Sequence, residues 1–245
     1  MNVVIVGASA GLGRSLSEEA ARRGHNIFLV SSDNRDLTVM AASLRLKYGV
    51  TANYSACQLG NSSSVAEVVS SIATKAFGPI DALLYPLGLA QQNDFGFLDE
   101  RTTLELVRAN FLSQLHVTAA LWPTLLKRPG ASVVGFGSVA SVRGRRNNVV
   151  YAAAKRALSS YFESLRHLAS ETNIRIHFYY VGYLNTQQTF GKALLLPKSS
   201  TERLACLVFD RLGRTDGPLF YPWYWRPISL LVRLVPWFIY KRLEF

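Results

Sequence analysis

Tyr151 and Lys155 stand four residues apart in a segment of helical periodicity, so both side chains leave one face of a helix with the lysine one turn further along. An ammonium close to a phenol favours the phenolate and draws a group that ordinarily titrates at about 10 toward the range useful for proton transfer. Ser138, thirteen residues earlier, can supply a hydroxyl that holds a carbonyl oxygen beside the tyrosine. Asn110, within a preceding helical segment, can carry a backbone or water link toward Lys155. Such a set moves a proton to or from the oxygen of a carbonyl or an alcohol.

A second set stands at the start of the chain. Gly7-Ala8-Ser9-Ala10-Gly11-Leu12-Gly13 follows an apolar run and opens a helical pattern. Glycines there permit a tight turn and let backbone N–H groups and a helix N-terminus approach a pyrophosphate. Such a dinucleotide would be chosen at the end of the second strand, where an acidic side chain would bond the ribose hydroxyl of NAD and repel the extra phosphate of NADP. Ser31 and Ser32 occupy those positions, with Asp33 further on and Arg35 nearby. The expectation is NADP(H) in preference to NAD(H).

The elements that must position these groups alternate along the chain. Short apolar runs at 3–6, 27–31, 51–56, 81–85, 132–136, 174–180 and 218–221 read as strands. Segments 12–23, 35–48, 63–77, 102–127 and 152–170 repeat apolar residues at helical spacing, as in Leu104, Val107, Phe111, Leu115 and Thr118. The pattern predicts an α/β fold: a single Rossmann-type, doubly wound parallel sheet with helices on both faces over residues 1–221, and a ligand crevice at the carboxyl ends of its strands. Two stretches depart from it. Residues 184–207, with Ala193-Leu194-Leu195-Leu196-Pro197, read as a substrate lid; residues 222–245 form an amphipathic tail that is aromatic and basic at once.

With 245 residues, 49% of them hydrophobic, the chain can bury one large core. Cys57 and Cys206 are too few and too distant to suggest a disulfide framework or a clustered metal site. The first residues lack the pattern of a secretory signal, and a cytoplasmic location is expected. Twenty-seven basic against sixteen acidic residues give a net charge of +11, a field that attracts polyanions. No zinc-finger spacing, RNA-binding aromatic motif or basic zipper offers those charges to bases, so nucleic acid is not the expected partner. Anionic lipid or a phosphorylated substrate suits them better, and a solvated basic surface remains the plain alternative.

Taken in order, these features resemble the short-chain dehydrogenase/reductase family over residues 2 to about 221: Gly-x-x-x-Gly-x-Gly, an asparagine in the fourth helix, then a serine and Tyr-x-x-x-Lys. The resemblance implies that Tyr151 protonates a carbonyl, Lys155 binds the nicotinamide ribose and lowers the tyrosine pKa, Ser138 orients the substrate and Asn110 completes a proton relay. It also implies cofactor contacts from Gly7, Ser9, Gly11, Leu12, Gly13, Ser31, Ser32, Arg35, Leu59, Gly88, Tyr151, Lys155, Gly182 and Thr186, and a homodimer or homotetramer. Tyr85-Pro86-Leu87-Gly88 replaces the family's Asn-Asn-Ala-Gly, Val181 replaces a proline before Gly182, and Gln58 stands where an adenine-side aspartate is usual.

Within the family, Arg143-Gly144-Arg145-Arg146 before Tyr151, and a tail running from Tyr221-Pro222 through Pro236 to Lys241-Arg242, resemble the ketoreductase half of decaprenylphosphoryl-ribose 2'-epimerases. That resemblance implies a keto-sugar on a polyprenyl phosphate, reduced at the inner face of the membrane, with Arg143, Arg145 or Arg146 meeting the phosphate and a separate oxidase making the ketone. Other readings stay open: another lipophilic or soluble ketone, or a dinucleotide-binding scaffold without turnover. The tail in turn either packs against a partner subunit or lies in the membrane interface.

Overall fold

The computed structural model describes residues 1–58, 64–75, 78–91, 93–189, 191, 196–214 and 216–243. Among them seven strands pair in parallel: β1 Asn2–Val6, β2 Asn26–Ser31, β3 Ala52–Ala56, β4 Ala82–Tyr85, β5 Ser132–Ser138, β6 Arg175–Val181 and β7 Gly217–Tyr221, in the order β3-β2-β1-β4-β5-β6-β7. The expected doubly wound sheet is therefore present. The chain adds strands outward from β1 to β3, then returns across β1 to lay down β4 through β7 on its other side. This reversal parts the connections leaving β1 and β4 and opens a crevice at their carboxyl ends.

Both faces of the sheet are covered, which is why the central strands are nearly continuous apolar runs. On one face α1 (Gly11–Arg22), α2 (Asn34–Tyr48) and α7 (Thr201–Arg211) bury Leu16, Leu37, Leu44, Leu204 and Val208 against Ile5, Leu29 and Leu84. On the other, α3 (Ser64–Lys75), α5 (Ser113–Leu126) and α6 (Val149–Ala169) bury Ile72, Leu121, Leu158 and Phe162 against Val4, Phe28, Leu83 and Val133. Adjacent residues of one strand serve opposite cores, as the two-residue period of a strand demands.

Two elements differ from the sequence expectation. The helix expected over 102–127 is α4 (Glu100–Val107) and α5 joined by a π-helical turn, Arg108–Leu112, that carries Asn110. Such a turn inserts an extra residue and swings the following side chains. Residues 201–207 of the expected lid lie in α7, which Ser200 caps by accepting Arg203 N–H and which buries Leu204, Ala205 and Val208. The tail folds as α8 (Trp225–Leu234) and α9 (Trp237–Tyr240).

Candidate active site

The strand ends of β1, β4, β5 and β6 converge on a cavity of about 380 Å³, lined by the glycine turn, the 86–88 turn, Ser138, Tyr151, Lys155 and the segment from Val181 to Thr189. Gly7, at φ 99°, turns the chain out of β1. The turn is fixed by Gly7 N–H and Ala8 N–H, both donated to Val30 O. A β-carbon on Gly13 would overlap Gly7 O, so only glycine lets α1 start this close to the strand. The N-cap of α1 is Ala10, which offers no side-chain acceptor to the first-turn N–H groups. Gly13 N–H donates to Ala10 O at 3.0 Å, and the positive end of the helix dipole ahead of it favours an anion.

The cofactor-side residues divide. Gly7, Ser9, Gly11, Leu12, Ser31, Gly88, Tyr151, Lys155, Gly182 and Thr186 line the cavity, whereas Ser32 and Arg35 stand outside it. Leu59 lies outside the described residues. Ser9 and Ser31 share a hydroxyl hydrogen bond of 2.6 Å that ties the turn to the end of β2. Asp33 is turned away: its carboxylate caps α2 by accepting the N–H groups of Arg35 and Asp36 at 2.9 and 3.2 Å.

On the other side, α6 brings Tyr151 and Lys155 to the cavity together. Its N-terminus is held by a residue that sequence reasoning missed. Asp94, 2% exposed, accepts from Val150 N–H at 3.1 Å and Tyr151 N–H at 3.0 Å, while its backbone carbonyl accepts Val149 N–H. The N-cap itself, Asn148, is left-handed at φ 57° and makes no capping bond with its own side chain. No local signal marks Asp94, because the helix it caps begins more than fifty residues later.

The Ser138 hydroxyl accepts Ala140 N–H at 3.1 Å and hydrogen-bonds the Tyr151 phenol. Burial pushes the phenol pKa up, and the Ser138 bond and the nearby charge of Arg145 pull against it. Lys155 is buried, its ammonium donating to Leu87 O at 2.8 Å and Phe136 O at 3.0 Å. Burial alone lowers its pKa to about 7. A lysine only half charged near neutrality exerts a weak pull on the phenol. Against the rise that burial gives the phenol, Ser138 and Arg145 are the groups that pull its pKa down.

Asn110 has its side-chain amide engaged: Oδ1 accepts Leu89 N–H at 3.2 Å, and Nδ2 donates to Leu89 O and Leu106 O at 2.7 and 2.9 Å. It thereby clamps the turn at Gly88, where a β-carbon would come within 3.7 Å of Lys155 Nζ and 3.8 Å of Asn110 Oδ1. The unusual Tyr85 points into the helical layer and shares a 2.8 Å hydrogen bond with Thr118. The replaced motif therefore leaves the backbone path intact: Leu87 presents its carbonyl to Lys155.

Of the three arginines before Tyr151, Arg143 is engaged elsewhere. It donates to Val232 O at 2.6 Å and Val235 O at 2.5 Å, and stacks 3.8 Å above the Tyr240 ring. These bonds close the end of α8. Arg145 donates to Asn147 O at 3.1 Å and bears on the Tyr151 phenol, and Arg146 is exposed in the same loop.

A family model described as short chain dehydrogenase matches residues 1–192. An uncharacterized oxidoreductase of Mycobacterium tuberculosis is 24% identical over 241 residues, covering 98% of this chain and 96% of that protein. A hydroxysteroid 11-beta-dehydrogenase 1-like protein of Xenopus laevis is 28% identical over 99% of this chain and 85% of its own length. Among solved structures, a short-chain dehydrogenase from Sphingobium yanoikuyae in complex with NADPH superposes with a TM-score of 0.83 at 21% identity, covering 100% and 97% of the two chains.

Proposed function

The chain belongs to the short-chain dehydrogenase family and is a nicotinamide-dependent oxidoreductase of a carbonyl or alcohol; on that footing we propose that it uses NADPH to reduce a lipophilic ketone, with Tyr151 as proton donor. The observation that carries the reading is the convergence of Ser138, Tyr151 and Lys155 on the same cavity as the glycine turn. The residues fit a dinucleotide, because the turn closes only with glycine at position 13 and the uncapped start of α1 faces it.

When bound, the nicotinamide supplies the hydride that reaches the carbonyl carbon. The protein manages the oxygen. Ser138, whose oxygen already accepts a backbone N–H, has its own proton to donate and orients the carbonyl. Tyr151, kept protonated by burial, delivers its proton to that oxygen as negative charge develops. Lys155, held by two backbone carbonyls, turns its remaining donor capacity to a ribose hydroxyl. Asn110 keeps the 88–89 turn in place beside it, and the proton relay expected of it runs along this side of the cavity.

Preference for NADPH is supported by the cavity lining, which among the described residues includes no acidic side chain. Ser31 stands there, and the Asp33 carboxylate is engaged in capping α2. The NADPH of the Sphingobium relative and the hydroxysteroid naming of the Xenopus relative accord with this cofactor and a lipophilic substrate. A second reading, the keto-sugar on a polyprenyl phosphate, is favoured by the position of Arg145, whose charge bears on the Tyr151 phenol. Under either reading the enzyme works in the cytoplasm, peripheral to the membrane that holds its substrate.

The test is oxidation of NADPH and NADH by the purified full chain with hydrophobic, soluble and phosphate-bearing ketones. Turnover of lipophilic ketones with NADPH supports the first reading, and a strong preference for the phosphorylated lipid supports the second. Cofactor binding without consumption on any ketone would leave a scaffold and overturn both.

A further inference from the structure

Helices α8 and α9 bury only Trp225, Ser229 and Tyr240. Trp225 fills the space a β-carbon on Gly182 would need and lies edge-on to Tyr183, with ring centroids 5.4 Å apart. At the far end, Arg143 bonds the last carbonyls of α8 and stacks on Tyr240, whose hydroxyl donates to Gly144 O at 2.7 Å. The tail is thus clamped at one end to Gly182 of the cavity wall and at the other to the Arg143–Gly144 segment.

Its other side is bare. Leu230, Leu231, Leu234, Trp237 and Phe238 are each between 61% and 70% exposed, five large apolar side chains within nine residues. Arg226, Arg233, Lys241 and Arg242 are exposed among them, and none forms an ion pair among the described residues. From Gly217 to Leu243 the sequence has no acidic residue.

We propose that α8 and α9 form a docking surface for an anionic lipid bilayer. Aromatic and aliphatic side chains at headgroup depth, interleaved with cations that meet lipid phosphates, are what a helix lying in the interface requires. Crossing is not at issue, since no described helix is long and apolar enough to span a membrane. A second copy of the chain fits the face less well: a twofold contact would set the four cations of one copy against the four of the other. An anionic bilayer satisfies the apolar and the basic residues at once. The surface deepens the peripheral location proposed above, yet it rests on its own residues and not on which ketone is reduced.

The experiment is co-sedimentation of the full chain, without substrate, with vesicles of phosphatidylglycerol and phosphatidylcholine or of phosphatidylcholine alone, at low salt. Binding to the anionic vesicles is expected, with a blue shift of tryptophan emission. The triple variant Arg233→Gln, Lys241→Gln, Arg242→Gln should bind about 100-fold more weakly, at about fivefold per charge removed. Leu231→Ser with Phe238→Ser should bind weakly while keeping the melting temperature of the parent, because both side chains are exposed. Failure to bind either kind of vesicle would overturn the proposal. So would a lipid-free parent that sediments as an oligomer which the Leu231, Phe238 variant dissolves, or vesicle binding unchanged in both variants. Because no substrate is present, vesicle binding stands or falls separately from ketone reduction.

Discussion

The carboxylate of Asp94 accepts the backbone N–H of Tyr151 at 3.0 Å, so the residue that brings the phenol to the cavity is held by a loop residue distant in sequence. A carboxylate at the start of a helix also meets the positive end of its dipole. The same Asp94 binds Gly96 N–H at 3.2 Å, closing its own loop as it caps α6.

Replacing Asp94 should therefore touch both stability and catalysis. Asp94→Ala is expected to cost about 1–2 kcal/mol, the upper part of the range for lost caps, and to lower kcat with little change in the KM for NADPH. Asp94→Asn, which keeps an acceptor oxygen, should recover most of both. Denaturant melts and steady-state kinetics check this. Full kcat in the alanine variant below its melting range would reduce Asp94 to a structural staple.

Tyr151→Phe removes only a hydroxyl from a partly buried ring. The fold and NADPH binding should persist, read by melting temperature and cofactor fluorescence, while ketone reduction falls by about 10²–10⁴-fold. Activity close to that of the parent would refute Tyr151 as the proton donor.

Lys155 gives a pH-dependent prediction. Its folded pKa of about 7 lies below the ordinary lysine value of 10.5, so between these values the unfolded chain binds more protons than the folded one. Stability contributed by this site therefore rises with pH across that window and is lost as pH falls toward 7. Lys155→Met removes the buried ammonium, and its stability relative to the parent should be more favourable at pH 7 than at pH 9.5. Parallel melts at the two pH values would show a constant difference if Lys155 were not held in this low-pKa state.

The sheet and the Tyr151–Lys155 pair that lines the cavity are legible in the sequence because both depend on local pattern: apolar runs bounded by turns, and a Tyr-x-x-x-Lys spacing that is one helical turn. What stays concealed depends on contacts between distant residues. Asp94 caps a helix that begins at residue 149, and Arg143 closes the end of α8, neither of which leaves a local trace. Helix α7 is masked when residues 184–207 are read as one apolar lid, although Ser200, Glu202 and the spacing of Leu204, Ala205 and Val208 carry its signature. The polarity of the Lys155 environment is hidden too, since its partners are the carbonyls of Leu87 and Phe136, which no side-chain type announces.

Gly182 offers the sharpest test of how the tail and the cavity are joined. It lines the cavity, and a β-carbon there would overlap the Trp225 indole, whose Nε1 is the nearest atom. Gly182→Ala must therefore displace either the cavity wall or the tail. Overpacking of this kind costs about 1–3 kcal/mol, and the displaced indole should become accessible to acrylamide quenching. Trp225→Phe trims the side chain at the point of overlap and also removes a buried N–H that has no hydrogen-bond partner among the described residues. Combined with Gly182→Ala, it should restore much of the lost stability, a coupling that a double-mutant cycle reads directly. Additive losses would mean that the tail and the cavity wall accommodate change independently.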